Sequence, residues 1–111
     1  MGVLSELIKR LFDIKTEPRI NDDTNTINVA ETRIVKPNDD RVEFLVINLG
    51  VNNAFILPEP GVSATRGILL TPNGGHYLCE YDKDFHLVGK DWYGCAPLGA
   101  VNVLILEVIG T

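Results

Sequence analysis

The run from His76 to Cys95 holds most of the side chains in this chain with chemical potential: His76, Cys79, Glu80, Asp82, Asp84, His86 and Cys95. A zinc ion needs three or four N, S or O ligands converging tetrahedrally. Here the first five positions read HYLCE, an apolar-aromatic segment with strand character. Side chains on a strand alternate, so His76, Leu78 and Glu80 share one face while Tyr77, Cys79 and Tyr81 share the other. His76 and Cys79 therefore do not reach one ion, and His86 lies beyond a turn expected at Asp82-Lys83-Asp84. A metal enzyme built on His76, His86 and Glu80 would need a convergence that this spacing does not provide. Nucleophile chemistry fares no better. Ser5 and Ser63 stand outside any Gly-x-Ser-x-Gly elbow, and Cys95 with His86 carries no motif of a thiol–imidazole pair. Gly74-Gly75 lacks the following Lys-Ser/Thr of a phosphate-cradling loop and reads as a hairpin turn. Asp82 and Asp84 read as a solvated loop. No catalytic residue, metal or cofactor is expected, and the chain reads as non-enzymatic.

Two other features stand out. Trp92-Tyr93 is the densest aromatic point. Adjacent strand residues point to opposite faces, so one ring anchors the core and the other faces outward, where it is a possible ligand aromatic. Glu107 sits in the apolar segment VNVLILEVIG. A buried carboxylate is costly unless paired, so if Glu107 is covered a cation such as Arg41, Arg66 or Lys90 must reach it.

These residues are carried by 111 amino acids, enough for one domain with one core. The net charge is −5 with ten Lys and Arg, scattered rather than striped, which argues against nucleic acid as a partner. No stretch approaches the roughly 18–20 apolar residues that cross a bilayer. Glu6, Lys9 and Arg10 interrupt what would be the apolar region of a signal peptide, and Glu6 breaks the myristoylation pattern. The expectation is a protein made in a cytoplasm, without a membrane partner, whose Cys79 and Cys95 are buried thiols rather than a disulfide.

One amphipathic α-helix is expected at the N-terminus. Leu4, Leu7, Ile8, Leu11 and Phe12 follow helical spacing, with Glu6, Lys9, Arg10 and Asp13 on the other side. So short a helix is marginal alone and must dock on something. Residues 15–25 are polar, contain Pro18, and read as a linker, giving a helix and linker arm over residues 1–25 and a β domain over 26–111. About seven strands follow: TINVAETRIV, RVEFLVINLG after the turn Pro37-Asn38-Asp39-Asp40, NAFIL, GILL, HYLCEY with DKDFHLVGKD, WYGCA and VNVLILEVIG. Short strands without intervening helices indicate a mainly all-β fold, an antiparallel sandwich or barrel.

In the last strand Val101, Val103, Ile105, Glu107 and Ile109 form one face, and Asn102, Leu104, Leu106 and Val108 the other. Both are largely apolar, so both must be covered. FLVI at 44–47 repeats the pattern. The second cover is the N-terminal helix, a bent sheet or another copy of the chain. A homo-oligomer is the preferred expectation, with the 101–109 face as buried strand and interface.

The series Asn48 … Ala54-Phe55-Ile56 … Val62-Ser63 … Gly67-Ile68-Leu69-Leu70, Pro72-x-Gly74-Gly75, Trp92-Tyr93-x-x-Ala96 and Val101-x-Val103-Leu104 … Glu107 resembles small β-rich structural proteins of tailed bacteriophages and prophages. The resemblance spans residues 44–109 and implies a virion component: a capsid decoration or cement protein, a fibre base or a small tail part, with other virion proteins as partners. It brings no catalytic residues. The leading expectation is an oligomeric virion protein docked through the helix residues Leu4, Leu7, Ile8, Leu11 and Phe12. The alternative is a carbohydrate- or receptor-binding module stacking ligand on Tyr77, Tyr81 and Trp92 or Tyr93.

Overall fold

The structure is a computed structural model that describes residues 16–21, 24–80 and 85–110. Among these residues nine strands form two antiparallel sheets: β1 Thr16–Ile20, β2 Thr26–Ile27, β3 Thr32–Val35, β4 Arg41–Asn48, β5 Ala54–Leu57, β6 Ile68–Leu70, β7 His76–Glu80, β8 Trp92–Cys95 and β9 Val101–Gly110. The larger sheet runs β1-β9-β4-β7, with β2 pairing the far half of β9. The smaller runs β3-β8-β5-β6. The expected sandwich-like, mainly β architecture is present, and the expected N-terminal helix lies outside the described residues.

The core is the space between the sheets. Phe44, Val46, Cys79, Val101, Val103 and Ile105 of the larger sheet meet Ile34, Ile56, Leu70, Trp92 and Ala96 of the smaller, joined by Ile27, Val35, Ala54 and Val88. Trp92 is the largest buried side chain. It stands edge-on to Phe44 at a centroid separation of 5.3 Å and donates from Nε1 to the Leu87 carbonyl at 2.9 Å. Its polar edge is satisfied by the 3₁₀ turn Phe85–Gly89, so the indole enters the core without an orphaned donor.

Three segments differ from the sequence reading. Thr16–Ile20, taken as linker, is an edge strand pairing with β9 from Thr16↔Gly110 to Ile20↔Leu106. Pro18 is compatible with an edge strand, where a missing N–H costs the sheet nothing. The boundary at residue 25 thus cuts through the sheet. TINVAETRIV is two strands in two sheets: the chain turns at Val29-Ala30, where the Thr32 hydroxyl donates back to the Ala30 carbonyl, and crosses from β9 to β8. DKDFHLVGKD is no strand over its described part, because Phe85–Gly89 curls to cap the core with Val88 and bring its carbonyls to Arg41 and Trp92. The turn before β4 is as expected. Asn38 accepts at Oδ1 from Asp40 N (2.9 Å) and at its carbonyl from Arg41 N (3.1 Å).

Candidate interaction surfaces

The alternation of β4 and β9 gives the larger sheet an inner and an outer face, and each carries a different kind of site. On the inner face Phe44 pairs with Glu107, and Arg19 of β1 sits on the other side of the same glutamate. Glu107 is fully buried. Its Oε1 accepts from Arg19 Nε at 2.8 Å and its Oε2 from Arg41 Nε at 2.9 Å. Burial works against the charged carboxylate, but the hydrogen bonds and positive charges of Arg41 and Arg19 outweigh it and hold its pKa below the ordinary glutamate value. Arg41 is itself 3 % exposed and spends its remaining donors on backbone. Nη1 donates to Val88 O (3.0 Å) and Lys90 O (3.2 Å), and Nη2 to Lys36 O (2.6 Å). The cluster ties β1, β4 and β9 to the loop after β3 and to the turn before β8. Of the cations expected at Glu107, Arg41 is the one found. Lys90 supplies only a carbonyl, and Arg66 pairs with Glu59 at the surface. Arg19 was missed because its segment read as linker.

The residues expected as buried strand and interface lie on this same face. Val101, Val103 and Ile105 are buried in the chain's own core, Glu107 is buried in the arginine cluster and Ile109 is half-buried. The outer face carries the other set. Neighbours across the sheet form three rows: Pro18–Val108–Glu43–Glu80, Ile20–Leu106–Leu45–Leu78, and Leu104–Ile47–His76. Leu45, Ile47, Leu78, Leu104 and Leu106 are half-buried and none belongs to the core cluster. A cavity of about 90 Å³ opens between β1, β9 and β4, lined by Pro18, Arg19, Glu43, Leu45, Leu106, Glu107 and Val108.

A second surface lies at the end of the sandwich where the β4–β5, β6–β7 and β8–β9 loops meet. Asn48 organises it from beneath. It is fully buried, donates from Nδ2 to Asn52 O (2.8 Å) and Leu70 O (3.1 Å), and accepts at Oδ1 from Gly50 N (2.9 Å). Asn73 N donates to Gly50 O at 2.9 Å, linking two loops, and Asn52 Nδ2 reaches Gly99 O at 3.4 Å, linking the third. Gly50 passes so close to β9 that a Cβ there would stand 2.6 Å from Val101 Cβ. The three loops read LGVNN, TPNGG and PLGA, with no charged residue, and they hold Leu49, Val51 and Leu98 at 55 %, 78 % and 79 % exposure. Turn residues mark these loops in the sequence, but their convergence depends on strand pairing and was not legible there.

The remaining candidate residues are dispersed. His76 is exposed on the outer face, with Nδ1 3.2 Å from Gly74 O, while Cys79 points inward, as alternation required. Cys79 and Cys95 are thiols buried in different sheets, and burial, with Glu31 adding to it, raises the Cys95 pKa. Among the described residues no three His, Cys, Asp or Glu side chains form a group that could hold a metal ion. Tyr77 packs on the core beside Trp92, their ring centroids 5.6 Å apart, and Tyr93 is half-buried with its hydroxyl donating to Asp91 Oδ2 at 2.8 Å. That hydrogen bond, followed by burial, raises the Tyr93 pKa. Trp92 is therefore the inward ring of the pair and is withdrawn from any ligand. The docking residues Leu4, Leu7, Ile8, Leu11 and Phe12, as well as Tyr81, lie outside the described residues. Compared with protein-family models, curated proteins and solved structures, the chain matches none.

Proposed function

We propose that this chain is a non-catalytic structural subunit that acts by self-assembly, of the capsid decoration, cement or fibre-base kind suggested by its resemblance to phage virion proteins. The observation that carries the reading is the charge-free loop end with Leu49, Val51 and Leu98 exposed. Copies carrying a net charge of −5 repel one another over most of their surface. An uncharged, apolar end is where two copies approach without that cost, and apolar area removed from water supplies the attraction. The bonds of Asn48, together with those from Asn73 N to Gly50 O and from Asn52 Nδ2 to Gly99 O, hold the three loops in place beforehand, which lowers the ordering cost of association. Attachment thus falls to the loops rather than to the N-terminal segment alone. Since β1 belongs to the sheet, a truncation that probes that segment must stop at Lys15, not at Ile20.

Light scattering on the full chain across a concentration series tests the proposal. The expected result is an oligomer that Val51→Asp and Leu98→Asp convert to monomer, with unchanged circular dichroism and thermal midpoint. A wild-type chain that stays monomeric at about 100 μM, well above the Kd of a micromolar interface, or an oligomer indifferent to both charges, overturns it.

A further inference from the structure

We propose that the loop between β5 and β6, residues 58–66, is a latched strap that lifts as one body from the outer face of the smaller sheet and gates access to Cys95. It goes beyond the assembly reading and does not rest on it.

Alternation along β8 sends Trp92 and Gly94 toward the core and Tyr93 and Cys95 to the opposite side. A Cβ on Gly94 would meet Ile27 and Ile34, which fixes the inward side. On the outer side Cys95 stands opposite Phe55 of β5, yet it is only 4 % exposed. Val62 of the loop is 8 % exposed, and neither residue belongs to the core cluster. Buried apolar residues set apart from the core mark a cover of their own, as beneath a long loop.

The route of the loop supplies that cover. Its ends are adjacent, because Ile56 pairs with Ile68 where the chain leaves β5 and enters β6, so it is an Ω-loop. On the β5–β6 side Val62 lies against the sheet: a Cβ on Gly67 would stand 3.0 Å from Val62 Cγ2 and 3.2 Å from Phe55 Cβ. On the far side the loop reaches Glu31, the residue before β3, whose Oε1 accepts from Gly61 N at 2.5 Å and Val62 N at 3.2 Å. Gly61 adopts a φ of 100°, a conformation open to glycine, and with it two successive amides converge on one oxygen. β8 lies between β3 and β5. A segment that touches Glu31 on one side and packs beside Phe55 on the other therefore crosses above β8, at the level of Gly94 and Cys95. Burial raises the Cys95 pKa and the Glu31 charge adds to it, which agrees with a carboxylate beside the thiol.

Bonds within the loop make it a single body. Arg66 donates to the carbonyls of Pro60 (3.3 Å) and Gly61 (3.4 Å) and pairs with Glu59 at 2.9 Å. Ser63 and Arg66 exchange two backbone bonds of 2.9 and 3.1 Å. Among the described residues, the hydrogen bonds that leave residues 58–66 are the two to Glu31. Releasing that charge-assisted latch and the Val62 contact lifts the strap while the β5–β6 and β5–β8 ladders stay intact. Such an opening lies well below global unfolding in free energy.

Labelling of the full chain with N-ethylmaleimide, with each modified cysteine identified by peptide mass, tests the strap. In the wild type Cys95 is expected to react at least about a hundredfold faster than Cys79, which is 0 % exposed between the sheets, and far more slowly than in the urea-unfolded chain. Low urea is expected to speed Cys79 steeply and Cys95 little, because lifting a loop exposes less surface than unfolding. Glu31→Ala is expected to raise the Cys95 rate about tenfold, the scale of a lost hydrogen bond to a charged acceptor. Removing that charge also makes the thiol more acidic, so Val62→Ala, which keeps Glu31, is the companion variant, with a rise of at least about threefold. Near-ultraviolet dichroism of Trp92 checks that both variants are folded, and the wild-type rates and urea slopes decide if they are not. The inference is overturned if Cys95 and Cys79 react together with one urea slope, if native Cys95 reacts as fast as in urea, or if either folded variant leaves its rate unchanged.

Discussion

Glu107→Ala is the substitution from which the fold has most to lose. The Glu107 side chain is 0 % exposed and that of Arg41 2 %, so removing the carboxylate leaves a guanidinium in the interior with its charge uncompensated. Three backbone carbonyls still accept from Arg41, which holds the side chain in place rather than letting it escape to water. Breaking a buried pair from one side costs about 3–5 kcal/mol. At about 2.1 cal/mol/K of unfolding entropy per residue, a chain of this length loses about 4 °C per kcal/mol, so the thermal midpoint should fall by about 13–20 °C. Arg19 touches the same glutamate at a similar distance, but its side chain is 54 % exposed and water screens the pair. Arg19→Ala should cost no more than about 1 kcal/mol. Urea unfolding followed by Trp92 fluorescence measures both. The reasoning fails if Glu107→Ala costs less than about 1 kcal/mol, well under the 3–5 typical of such pairs, or if Arg19→Ala and Arg41→Ala are equally damaging, because burial would then not be what sets the energy of the cluster.

Two more outcomes follow from the same bonds. Because the folded-state pKa of Glu107 lies below its unfolded value, the unfolded chain binds the proton more readily, and stability is complete above the unfolded glutamate pKa of about 4.3 and lost as pH falls through the folded value. Urea midpoints measured from pH 7 down to 3 should decline more steeply below about pH 4.5 in the wild type than in Glu107→Gln, which has no carboxylate to protonate there. Asn48→Ala removes two donors and one acceptor from the buried floor of the loop end, so about 2–4 kcal/mol should be lost, and hydrogen exchange at Gly50 should quicken. An unchanged Gly50 rate would mean that the loops hold together without Asn48.

What the sequence made legible was whatever depends on local periodicity. Alternation put Cys79 and His76 on opposite faces and split Trp92 from Tyr93, and the apolar run around Glu107 marked it as a carboxylate in need of a cation, which among Arg41, Arg66 and Lys90 is Arg41. Pattern also located β4, β5, β6, β8 and β9 closely, since their apolar runs end at turn residues. Long-range pairing was not legible. Thr16–Ile20 has no strand signal of its own and is extended because β9 offers an edge. Thr26–Ile27 and Thr32–Val35 look continuous, yet they belong to different sheets because their hydrogen-bond partners do. Arg19 and the loop end of Leu49, Val51 and Leu98 escaped notice for the same reason: residues far apart in sequence meet only once β9 has chosen its neighbours.

β9 also shows why two apolar faces need not mean one large interface. Its inner face is spent within the chain, on the core from Val101 to Ile105 and on the arginine cluster at Glu107. Its outer face, Leu104 to Val108, is continued across the sheet by Ile47, Leu45 and Glu43 of β4. Among the described residues the most exposed large apolar side chains are Val51 and Leu98, both at the loop end. In the assembly proposed above, partner recognition falls to the loop end, where Asn48 braces the β4–β5 loop against β6 and Asn52 reaches the β8–β9 loop. For such an assembly a small uncharged end has a physical advantage: net negative charge elsewhere on the copies disfavours other approaches, so contacts form between correctly oriented copies.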